Sequence, residues 1–460
     1  MIYSVFFLLF RGMENELIKK YNVPGPRYTS YPTVPYWSNE GYNLVNWQKS
    51  VCQAYWTSGR EVSLYIHLPF CESLCTYCAC NTRITKNHAV ESKYVKALLK
   101  EWELNLALMP GKPILKDLHL GGGTPTFFSP ENLEILINGI TKRCTISEEA
   151  EFGFEGHPNN TTKAHLETMY KLGFKRVSFG IQDFDPKVQQ LINRVQPYEN
   201  VVFVTKTARE IGYESINFDL VYGLPGQKLS SISDTLEKTV FLKPDRIALY
   251  GYAHVPWLKP AQNSFTEFLP QAEKRALFYQ LSKSTLTMAG YKDIGMDHFA
   301  LSQDKMYRAA EEGTLHRNFM GYSTQSTDML IGLGVSSISD SWTAFSQNHK
   351  KLEGYYAALE NNELPMSKGH ILTEKDLVVR KHILNLMCRY ETRWHEKELE
   401  LFGLDMNFKL LEQLSKDDLI KVDSTGIKVF EKGQPFIRNI CMALDVRMNS
   451  GEKKTFSKTI

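Results

Sequence analysis

Between residues 62 and 300, short β-rich runs alternate with stretches that carry apolar residues at helical spacing. Six runs are predicted strands, at 62–68, 117–120, 152–154, 176–181, 216–222 and 246–250. Strands that alternate with helices form βαβ units with right-handed crossovers, and such units build a parallel sheet. The sequence therefore predicts an α/β fold, an incomplete (β/α)6 barrel whose active site lies beyond the carboxyl ends of its strands.

The rest of the chain divides into three parts around the barrel region, 61–300. Residues 1–60 precede it, and because an ordinary polar sequence begins only at Met13, we expect 1–12 to be a start-site artefact or a disposable tail. Their apolar stretch, 4–10, falls well short of the roughly 20 residues that span a bilayer. Residues 301–372 are expected to complete the barrel and the substrate site. The pattern over 373–460 predicts a small helical domain with a winged-helix hairpin near 423–426.

Charge and cysteine distribution restrict the function. The chain has 54 Lys and Arg against 51 Asp and Glu, and its net charge of +3 gives no field that would attract nucleic acid. Four of the eight cysteines fall between residues 71 and 80 and the others are scattered singly, which is not a disulfide framework. We expect a cytoplasmic monomer without nucleic-acid or membrane partners, with metal or redox chemistry at the cysteine cluster.

Cys71, Cys75 and Cys78 form a CxxxCxxC arrangement directly after the first predicted strand. Three thiolates on one loop can bind three irons of a [4Fe-4S] cluster and leave the fourth iron without a protein ligand. S-adenosylmethionine can chelate that open iron through its amino and carboxylate groups, and one-electron reduction of its sulfonium yields a 5'-deoxyadenosyl radical. The motif therefore predicts radical S-adenosylmethionine chemistry.

A zinc site is the alternative interpretation of this loop. Four N or S ligands suffice for tetrahedral zinc, and the candidates are Cys71, Cys75, Cys78, Cys80 and His67. Structural zinc sites usually draw on two separated ligand pairs, whereas all these candidates lie between residues 67 and 80. Cys80 is a possible ligand, catalytic thiol or packing residue. The alternative to a radical enzyme is therefore a binding module that zinc stabilises.

Glycine-rich and polar residues follow several predicted strands. The Gly-Gly-Gly-Thr-Pro run at 121–125 is either a tight turn or a surface that a ligand can approach closely, and we expect it to hold the methionine amino group. Polar side chains at later strand ends could ring one cavity; they are Glu155, Gln182, Arg194 and Asp219. Carboxylates suit ribose hydroxyls and an ammonium group, and an arginine suits a carboxylate.

From Tyr21 to its C-terminus the chain resembles the oxygen-independent coproporphyrinogen III oxidases of anaerobic haem synthesis. The likeness lies in the cysteine loop with its extra Cys80 and in the passages 24–32, 65–71, 295–299, 316–319 and 436–441. The resemblance implies oxidative decarboxylation of two propionates of coproporphyrinogen III to vinyl groups, giving protoporphyrinogen IX. It also implies a [4Fe-4S] cluster, two S-adenosylmethionine molecules, and an electron donor such as flavodoxin or ferredoxin.

The resemblance further implies roles for individual residues. At the cluster-bound S-adenosylmethionine it places Tyr65, Gly122, Glu155 and Ile338. At the second molecule it places Tyr77, Gly123, Thr124, Gln182, Arg194, Asp219 and Ala253. Cys80 becomes a catalytic candidate outside the cluster. Candidates for contact with a tetracarboxylate substrate are Arg27, Tyr28, His316 and Arg317, the first two in an N-terminal arm that can close over the site.

One departure and one related activity qualify the resemblance. Gly156 and His157 follow Glu155 where the family usually has an apolar residue and an acid. Related proteins of the same superfamily deliver or modify haem, and the haem-delivering ones typically lack the residue matching Cys80 and the long N-terminal arm. Both features occur here, so the oxidase is the favoured hypothesis.

Overall fold

The structure, a computed structural model, describes residues 13–450 and 454–459, so the expectation for residues 1–12 lies outside it. The strands are β1 (Glu61–Leu68), β2 (Phe70–Cys71), β3 (Arg83–Ile84), β4 (Ile114–Gly122), β5 (Thr145–Gly156), β6 (Arg176–Gln182), β7 (Ser215–Tyr222), β8 (Arg246–Gly251), β9 (Lys292–Gly295), β10 (His298–Ala300), β11 (His316–Asn318), β12 (Gly321–Ser323), β13 (Leu330–Leu333), β14 (Ile338–Asp340), β15 (Ala344–Asn348), β16 (Met366–Ile371), β17 (Glu391–Arg393), β18 (Ile420–Asp423) and β19 (Gly426–Val429).

The helices are α1 (Met13–Tyr21), α2 (Leu44–Thr57), α3 (Val90–Leu106), α4 (Pro130–Thr141), α5 (Lys163–Lys171), α6 (Pro186–Leu191), α7 (Tyr198–Ile211), α8 (Leu229–Leu242), α9 (Ala272–Met288), α10 (Lys305–Glu311), α11 (Leu352–Glu360), α12 (Glu374–Arg389), α13 (Glu396–Phe402), α14 (Phe408–Lys416), α15 (Ile437–Leu444) and α16 (Val446–Asn449). Short 3-10 helices cover Val34–Tyr36, Pro125–Phe127, Pro260–Phe268, Gly403–Asp405 and Glu431–Phe436. Among these described helices, none has the length and apolarity needed to cross a membrane.

One twelve-stranded sheet organises the chain, in the order β16-β15-β14-β13-β1-β4-β5-β6-β7-β8-β10-β9. Its strands from β13 to β8 are parallel, and antiparallel pairs extend both edges. All six predicted strands are confirmed, as β1 and β4 to β8. Over the described residues no strand ladder joins the two edges, so the (β/α) barrel is incomplete, as predicted.

The parallel strand β13 was missed by the sequence analysis. It pairs with β1 on the side away from β4, with Gly332 beside Tyr65. Its four residues are fully buried and too few to show a period, which is why the pattern did not reveal it. The main core lies between this sheet and its covering helices, with α3 contributing Tyr94, Leu98 and Trp102.

Local sequence signals explain where helices begin. Before α4, Ser129 accepts a hydrogen bond from the Asn132 N–H at 3.2 Å, and Pro130 occupies the first turn. Before α12, Thr373 and Asp376 form a capping box, so the helix predicted over 377–387 begins three residues earlier. These caps satisfy the amide groups that the first helical turn leaves unpaired.

The C-terminal part has an apolar core of its own, formed by α12, α15 and the sheet β17-β19-β18. The predicted hairpin is confirmed as β18 and β19. Tyr21, Tyr28 and Tyr31 of the N-terminal segment join this core, whereas Trp47 of α2 packs into the main core. The segment predicted as one arm therefore divides between two cores, and the predicted boundaries at 61, 301 and 373 stay a proposal.

Arg438 ties the N-terminal segment to the C-terminal core. Its buried guanidinium donates to the carbonyl groups of Pro26 at 2.8 Å, Lys458 at 3.1 Å and Thr459 at 3.0 Å, and also to that of Gly25. Burial lowers the pKa of Arg438 to about 10, with the nearby Arg27 charge adding to the effect. One side chain thus satisfies four carbonyl groups that belong to the two ends of the chain.

We predict that Arg438→Met destabilises the fold by about 2–4 kcal/mol, because it leaves several buried carbonyl groups without donors. Urea unfolding should show a lower midpoint, and limited proteolysis should cut sooner near residues 22–37. Arg393→Met is the matched control, since the Arg393 side chain is 77% exposed. Wild-type unfolding and protease resistance in Arg438→Met would contradict this role.

Candidate functional site

The cysteine loop leaves the carboxyl end of β1 and is held at both ends. Its first ligand candidate, Cys71, lies in β2, which pairs with β3 on the far side of the loop. In the middle of the loop, the Thr76 N–H donates to Ile192 O at 3.0 Å and Asn193 Nδ2 donates to Leu74 O at 2.7 Å. The loop is therefore fixed against the segment that follows α6.

Each predicted cluster ligand is half-buried, and two of them contact predicted cofactor residues. Cys71 Sγ lies 3.3 Å from Thr124 Oγ1, and Arg194 Nη1 donates to Cys75 Sγ at 3.6 Å. The third, Cys78, follows a tight turn in which its N–H donates to Cys75 O at 3.0 Å. The cysteine loop, the glycine run and Arg194 are thus parts of one site.

Three thiols of the loop, those of Cys71, Cys78 and Cys80, differ in acidity. A hydrogen bond from the Cys80 thiol lowers the pKa of Cys78 to about 6, against the opposing effect of burial. The same bond raises the pKa of Cys80 well above its ordinary value. Burial raises the pKa of Cys71 to about 11, although Thr124 works in the opposite direction. Cys78 is thus the more acidic thiol of this pair.

The described residues contain no group of three or more His, Cys, Asp or Glu side chains arranged to hold a single metal ion. Ligands of a cubane each bind a different iron, so they need not converge on one point as zinc ligands do. The zinc interpretation gains no support from this arrangement.

The glycine run lets β4 approach the end of β1 closely. Gly123 N donates to Leu68 O at 2.8 Å and Thr124 N donates to Phe70 O at 3.0 Å. A Cβ atom on Gly122 would lie 2.6 Å from the His67 ring, and Gly122 has a φ of +109° that side chains disfavour. On Gly123 it would lie 2.6 Å from the Pro69 backbone. The close approach positions Thr124 beside Cys71.

Glu155 stands at the end of β5 beside this run. Its carboxylate accepts from Gly122 N at 3.3 Å and lies 3.5 Å from His119 Nε2, and its side chain is 43% exposed. Tyr65 stacks on the His119 ring with centroids 6.2 Å apart and meets Phe319 edge-on at 5.0 Å. An accessible carboxylate lined by aromatic rings is suited to an ammonium group or ribose hydroxyls.

Three more predicted cofactor residues lie on neighbouring elements: Gln182 on β6, Asp219 on β7 and Arg194 in the segment after α6. Asp219 accepts from Ser178 Oγ at 3.0 Å and Asn217 Nδ2 at 2.8 Å, and burial, with the nearby Glu155 charge, raises its pKa to about 7. Gln182 ends β6 with a φ of +67°, just after a shift in the β6–β7 register. Arg194 Nη2 donates to Gly180 O at 2.5 Å, while its buried Nε has no hydrogen-bond partner.

The remaining cofactor candidates lie on the rim of the same site. Gln262, fully buried in the 3-10 segment Pro260–Phe268, donates to Tyr77 O at 3.1 Å and to Ala253 O at 3.5 Å, so it joins the cysteine loop to the segment after β8. Ile338 lies in β14, whose backbone packs against Gly332, the register neighbour of Tyr65. All the predicted cofactor residues are therefore grouped at the carboxyl ends of the parallel strands or beside them.

Sequence reasoning missed His119 and Gln262. His119 alternates with Asp117 and Gly121 on one face of β4, so a period-two count over that strand could have found it. Gln262 lies in an irregular segment that offers no sequence signal.

The departure after Glu155 has a local explanation. A Cβ atom on Gly156 would lie 2.9 Å from Thr161 Oγ1, so the tight turn after β5 favours glycine. His157 Nδ1 accepts from the Asn159 N–H at 3.1 Å, and burial, aided by the Arg194 charge, lowers the pKa of His157 to about 2. The imidazole is neutral and supports the turn.

Three of the four substrate candidates are engaged in other contacts. Arg27 donates to Asp297 Oδ2 at 3.2 Å and to Gly251 O at 3.0 Å, and Tyr28 donates to Asp445 Oδ2 at 3.0 Å. His316 Nδ1 lies 3.4 Å from the Ser326 hydroxyl, and burial lowers the pKa of His316 to about 4, with the Arg380 charge as a further cause. Arg317 is buried and its Nε and Nη1 have no hydrogen-bond partner.

Comparison with known proteins identifies the family. Residues 65–239 match the radical SAM superfamily. The oxygen-independent coproporphyrinogen III oxidase of Synechocystis sp. is 39% identical over 464 residues, which cover 97% of each chain. The protein of that name from Escherichia coli is 37% identical over 96% of this chain and 98% of its own length. The solved structure of Escherichia coli coproporphyrinogen III oxidase, described as a radical SAM enzyme, has a TM-score of 0.86 and 36% identity, covering 94% of this chain and 99% of that one. The chain therefore belongs to the oxygen-independent coproporphyrinogen III oxidase family of the radical SAM superfamily.

Proposed function

We propose that the protein catalyses the oxygen-independent oxidative decarboxylation of two propionate side chains of coproporphyrinogen III to vinyl groups, giving protoporphyrinogen IX. The observation that carries the proposal is the contact of Cys71 with Thr124 and of Cys75 with Arg194, which joins the cysteine loop to the cofactor candidates of the strand ends. Family membership over nearly the full chain length supports the same activity.

Radical SAM enzymes use S-adenosylmethionine and a [4Fe-4S] cluster, and this chain shares that requirement. We propose Cys71, Cys75 and Cys78 as the three cluster ligands. All three lie half-buried on one loop, with Arg194 donating to Cys75 and Thr124 beside Cys71, which supports this assignment. When bound, the cluster and S-adenosylmethionine supply a radical able to take hydrogen from an unactivated carbon.

Two S-adenosylmethionine molecules are proposed, in adjoining positions. The first would be held by Tyr65, Gly122, Glu155 and Ile338, with the open Glu155 carboxylate accepting from the ammonium group. The second would be held by Tyr77, Gly123, Thr124, Gln182, Arg194, Asp219 and Ala253. The unpartnered Nε of Arg194 offers a donor to a carboxylate, and Asp219 offers an acceptor that is fully charged only above its pKa of about 7.

Each decarboxylation is an oxidation of the propionate side chain. Removal of one hydrogen from the β-carbon, loss of carbon dioxide and transfer of one electron to an acceptor convert each propionate into a vinyl group. Cys80, two residues after Cys78 in the same loop, is the candidate catalytic group outside the cluster.

An external electron donor such as flavodoxin or ferredoxin is proposed to reduce the cluster. Leu74 and Cys80 in the cysteine loop are exposed, so a donor protein can approach the loop from outside. One chain carries the cysteine loop, the cofactor candidates and the substrate candidates, and we therefore propose that it acts as a monomer. We also propose that it is located in the cytoplasm.

The proposed activity is tested by anaerobic incubation with a reductant, S-adenosylmethionine and coproporphyrinogen III. We expect protoporphyrinogen IX and 5'-deoxyadenosine, measured by chromatography after oxidation of the porphyrinogens. Omission of the reductant is the control and should give neither product. Cleavage of S-adenosylmethionine without vinyl product would contradict the proposal and favour a haem-delivering or haem-modifying activity.

Cysteine variants test the assignment of the ligands. Cys71→Ser should abolish the brown cluster absorbance and all S-adenosylmethionine cleavage, because three thiolates are required to retain the cubane. Cys80→Ser should keep the absorbance and lose turnover. Cys144→Ser is the control, since Cys144 is buried in the main core far from the loop in sequence. Normal cluster content in Cys71→Ser, or its loss in Cys80→Ser, would overturn the assignment.

A further inference from the structure

Arg317, in β11, is a buried cation that forms no ion pair with any residue the structure describes. Only 6% of the residue is exposed, and neither Nε nor Nη1 has a hydrogen-bond partner. The guanidinium lies over the Tyr322 ring, 4.7 Å from its centroid. A buried charge is normally paired, because removing it from water costs several kcal/mol.

Other buried arginines of this chain show what such pairing looks like. Arg246 lies 2.7 Å from Asp304, Arg380 lies 2.5 Å from Asp340, and Arg438 donates to four carbonyl groups. Arg317 differs from these three in that its buried Nε and Nη1 both lack a hydrogen-bond partner. An anion from outside the chain is the group that would complete its contacts.

His298, at the start of β10, contacts the same Tyr322 ring as Arg317 and has an unused nitrogen of its own. Its ring lies edge-on to Tyr322 at 5.2 Å and to Tyr250 at 5.9 Å, and its buried Nδ1 has no partner. Burial, followed by the Arg317 charge, lowers the pKa of His298 to about 3. His298 nevertheless keeps part of its surface open, so this pair borders accessible space.

The pair adjoins the cofactor residues. The β11–β12 hairpin carries Arg317 on one strand and Tyr322 on the other, and the turn between them carries Phe319, which meets Tyr65 edge-on. Tyr250, which His298 also meets edge-on, lies near the end of β8. Burial raises the pKa of Tyr250, and the charges of Asp219, Asp297 and Glu155 are further causes. A group bound at Arg317 would therefore lie next to the proposed S-adenosylmethionine sites.

We propose that Arg317 and His298 form a carboxylate-binding subsite that receives one propionate of a tetrapyrrole substrate. The inference rests on the proposed function and deepens it, since it names the residues that recognise the substrate's charge. The guanidinium offers N–H donors at fixed angles, and the neutral imidazole offers one more polar contact. The rings of Tyr322 and Tyr250 shield the subsite from water, which strengthens a charged hydrogen bond.

Binding of one propionate here has a consequence for the reaction. A tetrapyrrole with four propionates can present different side chains to the same reactive centre, and a fixed anchor for one of them limits which propionate is presented. We therefore expect Arg317 to control substrate affinity and orientation, with no part in cleaving S-adenosylmethionine.

The test uses the anaerobic holoenzyme and two probes, coproporphyrin III and its tetramethyl ester, whose carboxylates carry no charge. Quenching of tryptophan fluorescence measures both affinities. Wild-type protein should bind the acid more tightly than the ester. Arg317→Met should weaken acid binding about tenfold or more, since a charged hydrogen bond is lost, and should leave ester binding unchanged.

Controls separate a lost contact from a lost fold. Arg317→Lys keeps the charge and should restore part of the acid preference, and Arg389→Met removes an exposed arginine of α12 and should bind both probes as the wild type does. Arg317→Met should retain cluster absorbance and reductive cleavage of S-adenosylmethionine. In turnover, its KM for coproporphyrinogen III should rise by a larger factor than its kcat falls.

Wild-type affinity and acid preference in Arg317→Met would overturn the subsite, even if the wild-type enzyme forms protoporphyrinogen. Loss of acid preference in Arg317→Met, in a protein whose wild type makes no vinyl product, would support the subsite and reject the proposed reaction. Probe binding therefore tests the Arg317 subsite, and product analysis separately tests the proposed decarboxylation.

Discussion

The close approach of β4 to the end of β1 is the contact on which the site depends. Backbone hydrogen bonds from Gly123 and Thr124 continue the sheet beyond Leu68 and into the cysteine loop. Side chains at Gly122 or Gly123 would lie 2.6 Å from His67 or from the Pro69 backbone, so glycine is required at both positions. Because the strands meet there, Cys71 lies against Thr124, and the proposed cluster ligands lie next to the polar strand ends.

A second constraint is the presence, near this site, of buried polar atoms that have no hydrogen-bond partner. Proteins leave few such atoms, and each one calls for an explanation. Here these atoms are His119 Nδ1 in β4, Arg194 Nε after α6, His298 Nδ1 in β10, and Nε and Nη1 of Arg317 in the β11–β12 hairpin. A charged ligand that carries carboxylate groups could provide the missing hydrogen-bond partners. Both S-adenosylmethionine and a porphyrinogen with propionate side chains carry such groups.

The parts of the fold that repeat were predictable, and the irregular parts were not. Period-two and helical patterns located the six parallel strands, the α12 helix and the β18–β19 hairpin. Four residues of β13 were too few to show a period, and no pattern indicated that Gln262 would join the cysteine loop to the segment after β8. The ligand candidates followed from their spacing, whereas the free donors of Arg317 depend on contacts between the hairpin and distant elements.

We infer that the cysteine loop holds a [4Fe-4S] cluster with an open iron. Iron, sulfide and zinc analysis of anaerobically purified protein tests this inference. We expect about four irons and four sulfides per chain, with little zinc. Zinc bound without iron or sulfide would contradict it, and with it the radical chemistry proposed for this chain.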